Sequence, residues 1–381
     1  TKLRITGKGR CNLTNTAELD DFLAHFAFPD KGGEAHHFLR NAFARFFTPD
    51  LVAFFDDLGV ETVEERGGRV FPASNDAHQV AEALIRFARE QGVQIRQQSR
   101  VRHLLLDRDR VRGVALESTE QIAAGAVVIA TGGASYPKTG SSGDGYRLAR
   151  QVGHRIVRVR PALVPLVVAG SEPRTMMGLS LRNVEVRLLL DGKEFAREFG
   201  EMLFTHYGVS GPIILTLSGL AVRRLGQGKL EMCINLKQAL SAEKLDARLQ
   251  RDLDKYGKRS HRGLLKGLLP QKMIDVMVAR SGIPPDKPGN QITAEDRKRL
   301  RELLHDFRLT ITGHRPLDEA IVTAGGVDTR QIDPRTMASR LVSGLFFAGE
   351  VLDVQADTGG YNLQAAFSTG YVAGQAAANF H

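Results

Sequence analysis

The stretch Ala126-Val127-Val128-Ile129-Ala130-Thr131-Gly132-Gly133 indicates the fold of this chain, because an apolar, partly β-branched run ends there at a glycine pair. A strand that is apolar at every position is typical of a parallel sheet covered on both faces. Ligands in such sheets bind beyond the carboxyl ends of the strands, where glycine lets backbone come close. The sequence therefore predicts a doubly wound α/β sheet with a ligand near residues 130–133.

A second segment near the C-terminus has the same pattern. Residues 344–350, Gly-Leu-Phe-Phe-Ala-Gly-Glu, predict a buried strand that ends at glycine and an acid. Residues 361–378 predict a helix rich in small side chains, which would let it lie close to a sheet or a ligand. The free N–H groups and the positive dipole end at the start of that helix favour a negatively charged group.

Between these two ends the pattern changes. Residues 161–240 alternate short strands with turns, as in a mainly β domain, and residues 241–305 are helical and highly charged. We predict one discontinuous α/β domain with an insertion. Its parts are a first α/β part (1–160), a β-rich domain (161–240), a helical subdomain (241–305), return strands of the β-rich domain (306–324) and a second α/β part (325–381).

The composition excludes several classes of protein. With 381 residues, 42% apolar and 25% charged, the chain is expected to fold as a soluble protein. The net charge of +9 arises from Lys and Arg spread along the chain, which suits anionic ligands without establishing nucleic-acid binding. Cys11 and Cys233 have no metal-ligand spacing, so we expect no metal site and a reducing, cytoplasmic location. No apolar run approaches the roughly 20 residues that span a bilayer, so no membrane partner is expected.

Five segments, in this order, resemble the YhiN/BaiN-type FAD-dependent NAD(P)/FAD oxidoreductases. They are TGKGRCNLTN (6–15), ATGG (130–133), EMLFTHYGVSGP (201–212), AGGV (324–327) and residues 344–364. The resemblance covers nearly the whole chain. It implies a glutathione-reductase-type FAD-binding domain, discontinuous and interrupted by a β-rich domain that carries a helical subdomain.

The resemblance also implies which residues contact FAD. The flavin and its linker would lie along Gly7, Lys8, Gly9, Arg10, Cys11, Asn12 and Thr14. The adenine would lie near Val101, and the pyrophosphate near Ala130, Thr131 and Gly132. The ribityl and phosphate part would meet Gly349 and Glu350, and the pyrimidine edge of the isoalloxazine would meet Gly360, Tyr361, Asn362, Leu363 and Gln364.

The chain departs from the family pattern at its start. Family members begin with a strand, a GxGxxG turn, a helix and an acid that binds the adenosine ribose, and none of these precedes Thr1. A βαβ unit takes roughly 30 or more residues. Gly140, Gly143 and Gly145 do not replace the turn, since a long loop separates them from their strand. We expect that the opening segment is missing through truncation or disorder, and that the chain as written binds FAD poorly or lacks it.

Three residues have two interpretations each. Cys11 is either a redox thiol beside the flavin or a small buried packing residue. His206 is either a proton donor to a substrate reduced at the flavin or a structural residue of the β-rich domain. Arg10 either binds a phosphate or carboxylate or forms a surface salt bridge.

The activity that the resemblance implies is hydride transfer from NAD(P)H through FAD to an organic acceptor, with an activated C=C bond of a small molecule as the candidate acceptor. Two alternatives stay open. A tRNA-modifying flavoenzyme shares the Gly-Leu-Phe-Phe-Ala-Gly strand and would suit the +9 charge. A non-catalytic flavin-binding module would need no proton donor, and His206, the histidine inside a family-like segment, also has a structural interpretation.

Overall fold

The computed structural model describes residues 2–26 and 34–380. Its helices are α1 (Leu19–Ala24), α2 (Glu34–Arg45), α3 (Thr48–Asp57), α4 (Ala77–Glu90), α5 (Asp144–Gln151), α6 (Glu172–Thr175), α7 (Pro212–Arg224), α8 (Ala242–Tyr256), α9 (His261–Leu265), α10 (Gln271–Ser281), α11 (Ala294–His305) and α12 (Tyr361–Ala378). Its strands are β1 (Thr14–Asn15), β2 (Thr62–Glu65), β3 (Arg69–Pro72), β4 (Val101–Asp107), β5 (Arg110–Leu116), β6 (Gln121–Ala123), β7 (Val127–Ile129), β8 (Ile156–Ala162), β9 (Leu166–Val168), β10 (Ser180–Leu190), β11 (Lys193–Phe204), β12 (Gly208–Ser210), β13 (Leu230–Asn235), β14 (Phe307–His314), β15 (Val322–Val327) and β16 (Leu345–Phe347).

The chain divides into two compact units. Unit 1 combines Thr1–Ala162 with Pro316–His381, and unit 2 is Leu163–Arg315. The five-part division predicted from the sequence stays a proposal, and the structure draws two of its boundaries differently. Residues 161–162 and 316–324 belong to unit 1, because β15 pairs antiparallel with β8 rather than with a strand of unit 2.

Unit 1 is a mixed α/β unit. The predicted strands 126–130 and 344–350 form β7 and β16, which pair in parallel with Ile129 opposite Phe347. Antiparallel sheets β1-β3-β2, β4-β5-β6 and β8-β15 complete its strands. Helix α12 packs against β16 and β7, and its small residues keep the helix axis close to that pair.

The expectation that β7 is covered on both faces is wrong for its middle residue. Val128 is 38% exposed, although Ile129 next to it is buried. Within the described residues, β7 has β16 as its one hydrogen-bonded neighbour. The apolar character of a strand does not by itself specify which layers cover it, and that is why the pattern misled here.

Three local features of unit 1 are not what simple sequence patterns indicate. Residues 93–97 contain the β-branched Val93 and Ile95 but form no strand, and Val93 is 54% exposed. Asn75 and Asp76 are both typical N-cap residues, and it is Asp76 that caps α4, with its carboxylate accepting from the His78 N–H at 2.8 Å. Residues 2–9 form 3₁₀ turns with a kink at residues 6–8.

Unit 2 is a closed antiparallel barrel with helices beside it. The barrel order is β10-β11-β12-β9-β14-β13, and α8 to α11 lie in the sequence between β13 and β14. One apolar core includes Phe204 and Ile234 of the barrel together with Leu249 of α8 and Leu304 of α11. The helices therefore share the core of the barrel.

Two further observations concern the described residues as a whole. None of their helices combines the length and the apolar character that crossing a bilayer requires. Their His, Cys, Asp and Glu side chains form no group of three or more that could hold a metal ion.

Candidate cofactor site

The carboxyl ends of β7 and β16 lie side by side in unit 1. The N–H of Ala348 donates to the carbonyl oxygen of Ile129 at 3.1 Å, so both chains leave the sheet at the same edge. A Cβ placed on Gly133 would lie 2.9 Å from Oε1 of Glu350 and 2.3 Å from Oγ1 of Thr323. Glycine at 133 is therefore what allows the Glu350 carboxylate to enter the end of the neighbouring strand.

Thr323 and Lys2 bind the Glu350 carboxylate, and the sequence motifs contain neither of them. Thr323 lies just before the AGGV segment. Oε1 of Glu350 accepts from the backbone N–H of Thr323 at 2.8 Å, and its Oε2 accepts from Nζ of Lys2 at 2.7 Å. Lys2 also donates to Oγ of Ser135 at 2.7 Å. Since a carboxylate has about four acceptor positions, Glu350 keeps capacity for a ligand hydroxyl.

The first loop and the start of α12 also meet. Gly360, the N-cap of α12, has φ +104°, and a Cβ there would lie 2.2 Å from the carbonyl oxygen of Thr14. Nδ2 of Asn15 donates to the carbonyl of Gly359 at 3.1 Å. We call the four segments 7–12, 130–133, 349–350 and 359–363 the cradle. Lys2 on Glu350, Asn15 on Gly359, and the close approach of Glu350 to Gly133 connect these segments within unit 1.

The start of α12 offers backbone rather than side chains to a ligand. No side chain caps the helix, and within the described residues no acceptor meets the N–H groups of residues 361–363. The Tyr361 ring packs edge-on against Phe22 at 4.8 Å, and Leu363 packs on the apolar cluster around Cys11. The side-chain amide of Gln364 is also engaged within α12, because its Nε2 donates to Oγ of Ser368 at 3.0 Å.

Asn362 has a structural role that the sequence did not suggest. Its Oδ1 accepts from the N–H of Ala356 at 2.9 Å, and its Nδ2 donates to the carbonyls of Ala356 and Asp357 at 3.0 and 3.1 Å. These three bonds fix the loop that leads from β16 into α12. The side chain of Asn362 therefore positions the helix start, and its backbone N–H remains for a ligand.

The loop at residues 7–12 contains an unpaired buried acceptor. Oδ1 of Asn12 is buried without a hydrogen-bond partner in the described residues. Gly7 has φ +56°, and a Cβ there would lie 3.1 Å from the backbone nitrogen of Asn12. Lys8 is exposed, and the Thr14 hydroxyl bonds that of Thr48 at 2.9 Å. Asn12 is therefore the side chain of this loop that is best placed for a polar ligand.

Cys11 and Arg10 follow their structural interpretations. Cys11 is fully buried beside Leu13 and Phe55, and burial raises the pKa of its thiol to about 11. It is therefore protonated and a poor nucleophile at neutral pH. Arg10 donates to Oδ1 of Asn75 at 2.7 Å, pairs with Glu65 and lies 4.2 Å over the Phe71 ring. Its guanidinium is thus committed to surface partners.

Val101 and Thr131, which the resemblance assigns to the adenine and pyrophosphate, line one groove of about 260 Å³. The exposed Val128 lines it too, and Ala130 is exposed beside it at the strand end. Arg100 and Asp144 form an ion pair at 2.8 Å in the same lining. The hydrogen bonds from Arg100 lower the pKa of Asp144 to about 2.

The two histidines that bear on proton transfer lie in different units. His206 lies in unit 2, exposed in the turn between β11 and β12, and its ring contacts that of Tyr207 at 4.7 Å. Its role as a proton donor stays a prediction. In unit 1, His25 stacks on the ring of Tyr361 at 3.9 Å, and its Nδ1 lies 3.0 Å from Oδ2 of Asp357. No motif contains His25, so sequence reasoning could not have found it.

The cradle fits a long cofactor with a polar ring edge and an anionic linker. It combines the orphan Oδ1 of Asn12, the uncapped N–H groups of residues 361–363 and glycines at 133 and 360 where a Cβ would clash. Backbone N–H groups at a helix start stabilise negative charge. The donor set therefore fits FAD.

A family model described as the HI0933-like protein Rossmann domain matches residues 1–376. The chain belongs to this family. Its relatives include the 3-dehydro-bile acid delta(4,6)-reductase of Clostridium scindens, which is 35% identical over 379 residues, 99% of this chain and 90% of the relative. They also include the ribosomal RNA dihydrouridine synthases of Haemophilus influenzae (31% identical; 97% of this chain, 88% of the relative) and Escherichia coli (30% identical; 98% and 88%).

Among solved structures, the FrdA chain of the E. coli quinol fumarate reductase is similar, with a TM-score of 0.48 and 16% identity. The similarity covers 99% of this chain, and the chain spans 64% of the length of FrdA.

Family membership confirms the resemblance found in the sequence. Together with the mixed α/β unit 1 and the barrel of unit 2, it confirms the predicted fold class, a Rossmann-like FAD-binding protein with a β-rich insertion. The chain is thus a member of an FAD-dependent oxidoreductase family.

Proposed function

We propose that this chain is an FAD-dependent oxidoreductase that reduces a C=C bond conjugated to a carbonyl group, with NAD(P)H as the source of hydride. FAD, when bound, supplies the hydride-transfer chemistry between the nicotinamide and the acceptor. The observation that supports the proposal most directly is the cradle, because it joins four glycine-bearing segments around free backbone donors and one orphan acceptor.

The relatives support the choice of bond. Two of the activities named for them differ in substrate, a 3-dehydro-bile acid in one case and ribosomal RNA in the other. Chemically, both correspond to reduction of a C=C bond, since dihydrouridine is uridine with its C5=C6 bond saturated. In each substrate a carbonyl group is conjugated with that bond and activates it. A small-molecule enone is therefore one substrate class for this chain, and a uracil base in RNA is the alternative.

Each part of the cradle has a proposed role in binding. The N–H groups of residues 361–363 would stabilise negative charge at the pyrimidine edge of the ring. The amide of Asn12 would bond the polar edge of the ring or its linker, and Glu350 would accept from a ribityl hydroxyl. Val101 and Thr131 would line the adenosine end. The side chains of Arg10, Tyr361 and Leu363 contribute packing or ion pairs instead.

Reduction of a C=C bond also requires a proton at the second carbon. His25 is proposed as its donor because its ring lies beside the first residue of α12 and its other partner, Asp357, is a carboxylate that would orient it. His206 is the alternative indicated by its family-like segment. A reducing compartment stays part of the proposal, supported by the two buried free thiols Cys11 and Cys233.

Rapid mixing of the FAD-loaded full-length protein with NADH or NADPH tests the reductive half-reaction through loss of flavin absorbance. A second mixing step with a 3-keto-4-ene steroid, or with uridine-containing RNA, tests the oxidative half-reaction. Flavin that neither nucleotide reduces, or reduced flavin that no conjugated C=C compound reoxidises, would contradict the proposal and favour a binding module.

The proton donor is tested by the variants His25→Gln and His206→Gln in the same assay. Loss of the donor is expected to slow reoxidation by the acceptor roughly 100-fold or more, while the rate of flavin reduction stays unchanged. The variant that leaves reoxidation at the wild-type rate identifies the histidine that is not the donor.

A further inference from the structure

The net positive charge of the chain belongs entirely to unit 2. Each unit carries 26 Lys and Arg residues, but unit 1 carries 26 Asp and Glu residues and unit 2 only 17. Unit 1 is therefore neutral in formal charge, and unit 2 has a formal charge of +9. The even spread of basic residues seen in the sequence conceals this asymmetry, because the acids are what is unevenly divided.

Within unit 2 the helical region is the most basic part. Residues 241–305 contain 15 Lys and Arg against 9 Asp and Glu. Their charges are arranged by helix face, and the arrangement is clearest on α8. Leu245, Leu249 and Leu253 form the buried face of α8.

A basic stripe runs along α8 away from that buried face. It consists of Lys244, Arg248, Arg251 and Lys255, spaced at i, i+4, i+7 and i+11, and it extends for about 16 Å along the helix. Lys244, Arg251 and Lys255 are exposed, and Arg248 is 43% exposed with a long 3.8 Å contact to Asp252. Because these four residues lie on one face of α8, their positive charges are close together on the same side of the helix.

Of the four acids of α8, Asp252 contacts Arg248 of the stripe at 3.8 Å, whereas Asp254 accepts from Nε2 of Gln250 at 2.8 Å. Asp246 lies on another face and pairs with Arg297 and Arg301 of α11, at 3.0 and 3.5 Å. No hydrogen bond or ion pair engages the side chain of Arg251 within the part of the chain that the structure describes. The exposed side chains of Lys244, Arg251 and Lys255 are therefore available to an external anion.

The loop that follows α8 adds two exposed basic residues and is hydrogen-bonded to residues 289–290. Lys258 and Arg259 are exposed, and Arg259 and Lys255 lie 4.2 and 5.2 Å from the ring of Tyr256. The loop backbone is clamped from outside the helix: the N–H of Gly289 donates to the carbonyl of Arg259 at 2.9 Å, and that of Asn290 donates to Gly257 at 3.0 Å. These cations and one aromatic ring thus lie on a loop whose backbone is hydrogen-bonded at two points.

The basic surface of residues 241–305 lacks the exposed apolar side chains that a membrane-binding helix needs. All of residues 241–305 are described, and no large apolar side chain among them is exposed. Helices that bind in a lipid interface bury an apolar face there, whereas the apolar face of α8 is used in the core of unit 2. A polar, cationic surface with an aromatic residue between its charges fits a nucleic-acid backbone instead.

We propose that the basic face of unit 2, defined by Lys244, Arg248, Arg251, Lys255, Lys258 and Arg259, is a docking surface for the phosphate backbone of a structured RNA. Lys and Arg contacts to phosphates supply affinity and position the RNA without reading its sequence. The choice of RNA rests on the second substrate class of the proposed function, a uracil base in RNA, because uracil carries a C=C bond conjugated to a carbonyl. Binding itself requires no turnover and is measured separately.

The test uses the full-length protein and a fluorescein-labelled RNA stem-loop, with binding followed by fluorescence anisotropy between about 50 and 200 mM salt. The variant combines Arg251→Gln, Lys255→Gln and Lys258→Gln. Its control removes the same charge from exposed positions of unit 1, with Arg89→Gln, Arg150→Gln and Arg335→Gln. A DNA stem-loop of the same sequence and vesicles containing an anionic lipid serve as competitors.

We expect the unit 2 variant to weaken RNA binding about tenfold or more near 100 mM salt, and to reduce the slope of log K against log salt by about 2. The control should bind within about twofold of the wild type. Equal binding by the wild type and the unit 2 variant, an absence of RNA binding, or competition by vesicles or DNA as strong as that by RNA would each overturn the proposal. Flavin reduction by NAD(P)H in the same samples reports the proposed function independently, since unit 1 keeps all its residues in the unit 2 variant.

Discussion

Replacing Gly360 by alanine tests whether the cradle depends on the close approach between the first loop and α12. A Cβ at this position would lie 2.2 Å from the carbonyl oxygen of Thr14 and 2.4 Å from its carbonyl carbon. Both are backbone atoms of β1, so they cannot rotate away as a flexible side chain would. The glycine also has φ +104°, a conformation that side chains disfavour.

The expected magnitude follows from these two contributions. A left-handed backbone conformation costs about 1–2 kcal/mol for an L residue. Inserting a methyl group into closely packed surroundings costs about 1–3 kcal/mol more. Gly360→Ala should therefore lower the free energy of unfolding by about 2–5 kcal/mol, a large part of the roughly 5–15 kcal/mol typical of a whole domain.

Gly370→Ala is the matched control in the same helix. A Cβ on Gly370 would meet no heavy atom within 4 Å, and alanine is favoured over glycine inside a helix by about 0.5–1 kcal/mol. The same substitution ten positions along α12 should therefore have the opposite sign. The pair separates the local contact from any general intolerance of α12 to substitution.

Urea unfolding, monitored by circular dichroism, measures the free energy of unfolding. Hydrogen exchange of peptides from β1 and α12 shows where the stability has changed, which is needed because the two units need not unfold together. FAD titration of the folded variants measures the effect on binding. An unfolding midpoint for Gly360→Ala equal to that of the wild type, or an equal loss for Gly370→Ala, would refute the reasoning.

Three further outcomes are expected. Asn362→Asp removes the amide that donates to the carbonyls of residues 356–357 and adds a negative charge at the start of α12. FAD affinity or the rate of flavin reduction should therefore fall about tenfold. Titration measures the affinity, and rapid mixing measures the rate. Cys11 should resist iodoacetamide at about pH 8, because a pKa of about 11 leaves only about one thiol in a thousand ionised; mass spectrometry reads out its labelling. The ion pair of Asp144 with Arg100 should stabilise unit 1 above about pH 4 and lose that effect as the pH falls towards about 2, because the pKa of the Asp144 carboxyl is lowered in the folded protein. Thermal melts of the wild type and of Asp144→Asn over that pH range measure the stabilisation.

Each of these outcomes has a control. For the helix start, Asn379→Asp changes an exposed amide at the opposite end of α12 and should leave FAD binding unaffected; an equal effect of both would mean that charge alone is responsible. For the thiol, labelling should become fast after unfolding in urea, and fast labelling of the folded protein would show that Cys11 is accessible. For the ion pair, a stability difference between wild type and Asp144→Asn that does not decrease with acid would contradict the lowered pKa.

Much of the architecture could be predicted because its signals are local. The apolar runs that became β7 and β16, each followed by glycine, are visible within a few residues, as is the helix at residues 361–378. The ordered segments along the chain also sufficed to recognise the family. What could not be predicted are the partners of individual side chains, such as Lys2 on Glu350, because they lie more than 300 residues apart in the sequence.

The sequence by itself determined the family, the positions of the glycine-bearing segments and the total charge of +9. The tertiary structure alone decided that Asn362 fixes a loop, that Arg10 is committed to surface partners and that the entire excess charge lies in unit 2. The physical reason is the separation along the chain over which each kind of interaction acts. Backbone preferences and apolar periodicity act between near neighbours in the chain, whereas hydrogen-bond partners, burial and the grouping of charges are set only when distant segments pack together.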